Sequence, residues 1–171
     1  MDVKEIGRTK FGTPVLISRD LLKADRIVVV NRVKPHTDFR GEIESGLVKM
    51  MVIGMGKPQG ALMVHRLTIK HGFPAVIREV GSIILKKLPI LFGMGMIENQ
   101  YGKTAFIDLV KPKKLIEEEK ALLKKARRLI PSLPFAQMDV LILDEMGKNI
   151  SGAGMDTNVI GRRAFIWSSK P

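Results

Sequence analysis

At 171 residues, 45% of them hydrophobic and 27% charged, the chain is of single-domain size and long enough to bury roughly two-thirds of its unfolded surface. No apolar run reaches the roughly 20 residues that cross a bilayer, and nothing behind MDVKEIGRTK resembles an export signal, so a cytoplasmic protein is expected. The lack of cysteine excludes disulfides, iron–sulfur clusters, thiolate metal sites and cysteine nucleophiles; the net charge of +12 favours an anionic partner or a heat-adapted Lys-rich surface.

Residues 13–17 (TPVLI) have strand composition, and Ser18 is placed to cap a short helix through Leu21, Leu22 and Ala24. Residues 26–30 (RIVVV) form a β-branched run of the kind buried on both faces of a sheet. That strand ends at Asn31, which puts 32–41 where ligands bind in open α/β sheets, beyond the carboxyl end of a strand. The spacing of Ile43, Leu47, Val48, Met50, Met51 and Val52 predicts a buried helix over 42–53. Lys49 falls on its remaining stripe, one turn from Ser45 and Gly46, whose small size leaves room for something to dock.

Gly54, Gly56, Pro58 and Gly60 then break the chain before a helix over 61–69, closed by His71-Gly72. Pro74 suits the first turn of a further helix, whose Val76, Ile77, Val80, Ile83, Ile84 and Leu88 recur at helical spacing as far as Pro89. Residues 90–97 and 104–110 read as two strands joined by a turn containing Asn99, Tyr101 and Gly102. Residues 112–130 form the clearest helix, with Glu117, Glu118 and Glu119 in its first turns and Lys124, Lys125, Arg127 and Arg128 in its last, charges expected on a solvated face. Residues 139–143 (DVLIL) read as another buried strand, which leads through Asp144 and Glu145 into a Gly-rich loop; 162–171 contains a last short apolar run. The sum is an α/β fold with a mainly parallel core sheet flanked by helices. Residues 1–171 form one domain or part of one, and 139–171 are expected to open a second domain or an interdomain segment.

Glycines near Lys57 invite two phosphate-loop readings, and both fail. A Walker A loop needs glycine where Met51 stands and Ser or Thr where Pro58 stands; the dinucleotide fingerprint needs its last glycine one residue before Gly60. Gly54, Gly56 and Gly60 are then either backbone donors to a phosphate or an ordinary helix-to-helix turn. His36, between Pro35 and Asp38 and among Arg32, Lys34 and Arg40, is either a general base for an anionic substrate or a surface histidine. His65 shares a helical face with Ala61, Leu62 and Ile69, as a core histidine or a metal ligand; His71 is a helix-terminal residue facing the dipole. GKNISGAGMDTN (147–158), with Lys148, Ser151, Asp156 and Asn158, either binds a ligand or only connects.

Pro35-His36, followed by Ser45-Gly46-Leu47-Val48-Lys49 and by His65 sixteen positions after Lys49, resembles the nickel-pincer lactate racemase (LarA-like) family. NRVKPHTDFRGEIESGLVKM and the distal DEMGKNISGAGMDTNVIGR are similar to a lactate-racemase-like branch of it. The resemblance implies a racemase or epimerase of a 2-hydroxy acid or related small carboxylate, working by hydride transfer to a nickel-pincer nucleotide. In it Lys49 would join the cofactor covalently, His65 would ligate nickel and His36 would be an acid/base residue. Ser45, Gly46, Arg32 and Lys57 would line the cofactor, the cations holding its phosphate or the substrate carboxylate. Family members are longer, two-domain proteins with a second acid/base histidine upstream. This chain is therefore expected to be a piece of a longer protein, inactive alone, and its interval from His36 to Lys49 exceeds the family's. The alternative is a non-catalytic basic domain that binds an anion or a nucleic acid; one Trp, one Tyr and no nucleic-acid motif weigh against the latter.

Overall fold

The computed structural model describes residues 2–135, 137–150 and 154–161; the apolar run in 162–171 and the candidate Ser151 lie outside the described residues. An N-terminal hairpin comes first, β1 (Val3–Arg8) antiparallel to β2 (Pro14–Ser18). The predicted short helix is a 3-10 turn (Arg19–Lys23) without a side-chain cap from Ser18. Strand β3 (Ile27–Arg32) follows, then helix α1 (Leu47–Lys49), which runs directly into a π-helical turn (Met50–Gly54). Helices α2 (Lys57–His71) and α3 (Phe73–Lys87) precede β4 (Ile90–Glu98) and β5 (Thr104–Val110). Helix α4 (Leu115–Leu129) and a short α5 (Thr157–Ile160) end the series.

The α/β class holds, and the core sheet is mixed. Its order is β3-β4-β5, with β3 parallel to β4 and β4 antiparallel to β5. The hairpin turn around Asn99 and Gly102 forces the second pairing, because only antiparallel neighbours can be joined so tightly. Helices α1 and α4 pack on one face of this sheet. They come close because β4 presents glycine there: a Cβ on Gly93 would lie 2.7 Å from Leu47 Cδ1, and one on Gly95 2.8 Å from Leu122 Cδ1. Leu47, Val48, Met51, Leu115 and Leu123 fill the space, each almost wholly buried and each contributing about 2 kcal/mol.

The other face is less covered, which corrects the reading of RIVVV as buried on both sides. Ile27 and Val29 point into the core, while Val28 and Val30 are 43% and 46% exposed. Residues 139–143 also depart from expectation. They pair with no described strand, and Val140 and Ile142 are exposed, because β-branched composition makes a strand only where a neighbour supplies the ladder.

The predicted helix over 42–53 begins late. Lys34 and Ser45 form an antiparallel bridge that ties off 35–44 as a loop, so only the part from Leu47 onward is helical. Gly56 and Gly60 serve packing: a Cβ on Gly60 would stand 3.0 Å from Leu16 O of β2, and one on Gly56 3.0 Å from Gly60 Cα and 3.2 Å from Leu16 O. The turn-and-packing reading of these glycines therefore fits better than a phosphate cradle.

Candidate functional site

Lys49 sits at the junction of α1 and the π turn, a place where helices are often interrupted for function. Its helix is held from below by a group the sequence hides. Glu119 of α4 is buried, and its Oε2 accepts the backbone N–H of Val48 at 2.8 Å while the Leu47 N–H also favours the carboxylate, which serves donors that a helix N-terminus otherwise leaves free. The carboxyl lies against Gly46, where a Cβ would meet Glu119 Oε1 well inside contact distance, and Oε1 has no partner. Gly46 is therefore small to admit Glu119 from within as well as to open space outside. Burial pushes the Glu119 carboxyl up to about 7, against the two backbone hydrogen bonds. The expectation that Glu117, Glu118 and Glu119 share a solvated face is corrected for Glu119. It stands on the stripe of Leu115, Leu122 and Ala126, a periodicity that the run of three glutamates masks.

Outside Gly46 a cavity of about 290 Å3 is lined by Asn31, Ser45, Gly46, Lys49, Met50, Ile53 and Gly54. The small residues beside Lys49 thus do leave space, although Ser45 lies in the bridge before the helix. Asn31 Nδ2 donates to Gly46 O at 2.9 Å and fixes the cavity's rim to β3. Burial lowers the Lys49 pKa, with Lys34 adding to it and Asp38 opposing. A lysine whose charged form is disfavoured is the kind that can act as a nucleophile. A second cavity of about 470 Å3 shares Met50 and Gly54 with the first and is also lined by Ser18, Val30 and Lys57. Lys57 is the one described non-glycine residue with positive φ, at 55°. Such backbone persists only where the surroundings impose it.

His36 lies in the tied-off loop, and side chains from distant segments hold it. Its backbone N–H donates to Glu44 Oε2 at 2.7 Å; Glu44, wholly buried, also accepts the Gly41 N–H at 2.9 Å and pairs with Arg127 of α4 at 2.6 Å. The Asp38 N–H donates to His36 Nδ1 at 3.0 Å. That nitrogen is therefore an acceptor, and the neutral ring carries its proton on Nε2. Burial lowers the His36 pKa, Lys49 and Lys34 reinforce this, and Asp38 and Glu44 oppose it.

Two phenylalanines, given no role by the sequence reading, join the candidates. The His36 ring stacks on Phe39 at 4.3 Å, Phe39 on Phe73 at 4.7 Å, and Phe73 meets the edge of His65 at 5.5 Å. Lys49 Nζ stands 5.7 Å from the Phe39 centroid. The structure therefore gathers His36, Lys49 and His65 around one pair of rings, despite the long interval after His36. No sequence spacing signals Phe39 or Phe73, since each touches its partner only through tertiary packing. His65 is exposed, which disfavours the core-histidine reading, whereas His71 stacks on Phe11 at 3.8 Å. Arg32 is committed elsewhere: its Nη1 donates to both carboxylate oxygens of Glu98, at 2.9 and 3.0 Å.

No cluster of three or more metal-binding side chains occurs among the described residues. A metal at His65 would have to draw its other ligands from a cofactor, which suits an exposed single imidazole. No helix among the described residues is long and apolar enough to cross a membrane.

The family model for the lactate racemase N-terminal domain matches residues 1–74, a span that holds His36, Phe39, Ser45, Gly46, Lys49, Lys57, His65 and Phe73. No curated protein matches the chain. Among solved structures, that of the lactate racemase apoprotein from Thermoanaerobacterium thermosaccharolyticum is similar in fold, with a TM-score of 0.58 and 19% identity, over 70% of this chain and 30% of that one. Residues 1–74 thus match the lactate racemase N-terminal domain, and the fold is one that a lactate racemase shares.

Proposed function

We propose that the chain forms part of a racemase or epimerase of a 2-hydroxy acid that uses a nickel-pincer nucleotide. The observation that carries this reading is the convergence of His36, Lys49 and His65 on the Phe39–Phe73 stack, beside a cavity bounded by Ser45, Gly46 and Lys49. When bound, the cofactor supplies a hydride acceptor for the hydrogen on the substrate's hydroxyl-bearing carbon. Lys49, with its ammonium disfavoured by burial, is the attachment point; His65, open to solvent on α2, is the nickel ligand.

Lys57, in the adjoining cavity, meets the cofactor phosphate, and Ser45 and Gly46 leave room for its ring. Arg32 serves the same anion only if it leaves Glu98. His36 presents Nε2–H toward the substrate and in this orientation donates to the hydroxyl or keto oxygen. It becomes a base only when the Asp38 N–H bond to Nδ1 is given up. The chain covers 30% of the solved racemase, and the second proton-transfer group and the second domain belong to this proposal as parts outside the chain.

The test uses the natural gene product that carries these residues, produced together with cofactor-making enzymes. Interconversion of the enantiomers of a small 2-hydroxy acid such as lactate is expected, with nickel content lost in His65→Ala. A product with neither activity on any 2-hydroxy acid nor nickel would overturn the reading.

A further inference from the structure

The distal segment 154–158 (GMDTN) reaches the His36 loop, although it lies outside the matched N-terminal segment. Asp156 caps α5 by accepting the Asn158 N–H on Oδ1 at 2.8 Å, and the same oxygen accepts Asn158 Nδ2 at 3.0 Å. With its second amide hydrogen Asn158 donates to His36 O at 3.2 Å, and the neighbouring Thr157 hydroxyl donates to Thr37 O. His36 is therefore anchored at its N–H by Glu44, at its carbonyl by Asn158 and at Nδ1 by the Asp38 N–H. Among the described residues Nε2 alone of its polar atoms has no hydrogen-bond partner.

We propose that Asn158 is a positioning residue for His36, holding the His36–Thr37 peptide by its carbonyl so that the ring keeps Nδ1 on the Asp38 N–H and offers Nε2–H to the substrate. An asparagine suits the task because one side chain must donate twice, to Asp156 and to a backbone carbonyl, and must carry no charge next to the Asp156 carboxylate. Aspartate there would lose both donors and face Asp156. The inference rests on the reading of His36 as the residue that meets substrate, but its test needs no cofactor, metal or substrate.

In nitrogen-resolved NMR of the full chain, with the His36 signal identified by its loss in His36→Gln, the wild type should show Nδ1 as the acceptor nitrogen and a midpoint below 6.5. Asn158→Ala should raise that midpoint, as burial and the Lys49 field weaken, and should average the two ring nitrogens. Its thermal midpoint should fall by no more than about 4 °C, since two part-buried hydrogen bonds are at stake. Asn158→Asp should behave like Asn158→Ala, and Thr157→Val should shift His36 in the same direction by less. An unchanged His36 tautomer and midpoint in both Asn158→Ala and Thr157→Val would overturn the proposal, as would a lowered thermal midpoint with the His36 signals unmoved. If Asn158→Ala does not fold, Thr157→Val decides alone. Because His36 is read directly, failure here would leave the racemase reading standing, and failure of racemase activity would leave this one.

Discussion

The two halves of the candidate site are mounted differently. Lys49 rides on a helix whose Leu47, Val48, Met51 and Val52 are buried, with one carboxyl, Glu119, beneath its first turn. His36 rides on a loop whose apolar anchors are Pro35, Ile43 and its ring stack, and Glu44, Arg127, Thr157 and Asn158 hold the rest of that loop by hydrogen bonds and one ion pair. The first mount is tolerant of small changes around it and intolerant of added volume. The second depends on individual polar atoms, each worth about 1 kcal/mol when neutral and more when charged. The covalent attachment proposed for Lys49 suits the first, and the proton exchange proposed for His36 suits the second.

The largest effect should come from breaking the polar mount. Arg127→Met leaves the Glu44 charge buried without its partner and should cost about 3–4 kcal/mol in urea unfolding, raising hydrogen exchange in 36–41 more than in 47–54. Glu44→Gln with Arg127→Met should recover part of that loss; no recovery would mean that the loop is not held by this pair.

Next comes pH. Glu119 titrates near 7 when folded against an ordinary 4.5, so the folded state keeps its proton longer than the unfolded chain. Stability from this group is therefore full below pH 4.5, falls as pH rises to 7 and is level above, a loss of about 3 kcal/mol. Urea midpoints at pH 5 and pH 8 should show it, and Glu119→Gln should flatten the difference. A Glu119→Gln variant as pH-dependent as wild type would remove Glu119 as the cause.

Gly46→Ala is smaller still. The new methyl must push the Glu119 carboxyl aside, at about 2 kcal/mol, and the Lys49 helix should fray before the His36 loop does. Smallest is Phe39→Leu, which keeps apolar volume but ends the stacks with His36 and Phe73, at about 1 kcal/mol and with the His36 midpoint moving toward 6.5. An unmoved His36 would separate the ring column from the histidine's environment.

The same contrast explains what the sequence could tell. Ser45, Gly46, Lys49 and His65 are set by spacing along adjacent elements, and those intervals can be read without knowing the fold. The strands at 90–97 and 104–110 and the helix at 112–130 were legible for the same reason, as local periodicity with turn residues between. Glu119 was nearly legible, since it keeps the helical period of Leu115 and Leu122, but two neighbouring glutamates hid it. Glu44 was obscured by reading 42–53 as one helix, because the Lys34–Ser45 bridge that separates loop from helix is a tertiary fact. The contacts Phe39–Phe73, Arg127–Glu44, Thr157–Thr37 and Asn158–His36 span 34 to 122 residues of chain, and no periodicity covers such distances. The strand expected at 139–143 fails for the opposite reason, since its composition is right and no described partner pairs with it.

The central claim is that Lys49 is where the cofactor is attached, and peptide mass analysis tests it most directly. The natural gene product, made together with cofactor-making enzymes, should yield the peptide bearing Lys49 with an added mass that disappears in Lys49→Arg. A fully mapped protein in which Lys49 carries no added mass, under conditions that load a lactate racemase made in parallel, would contradict the account.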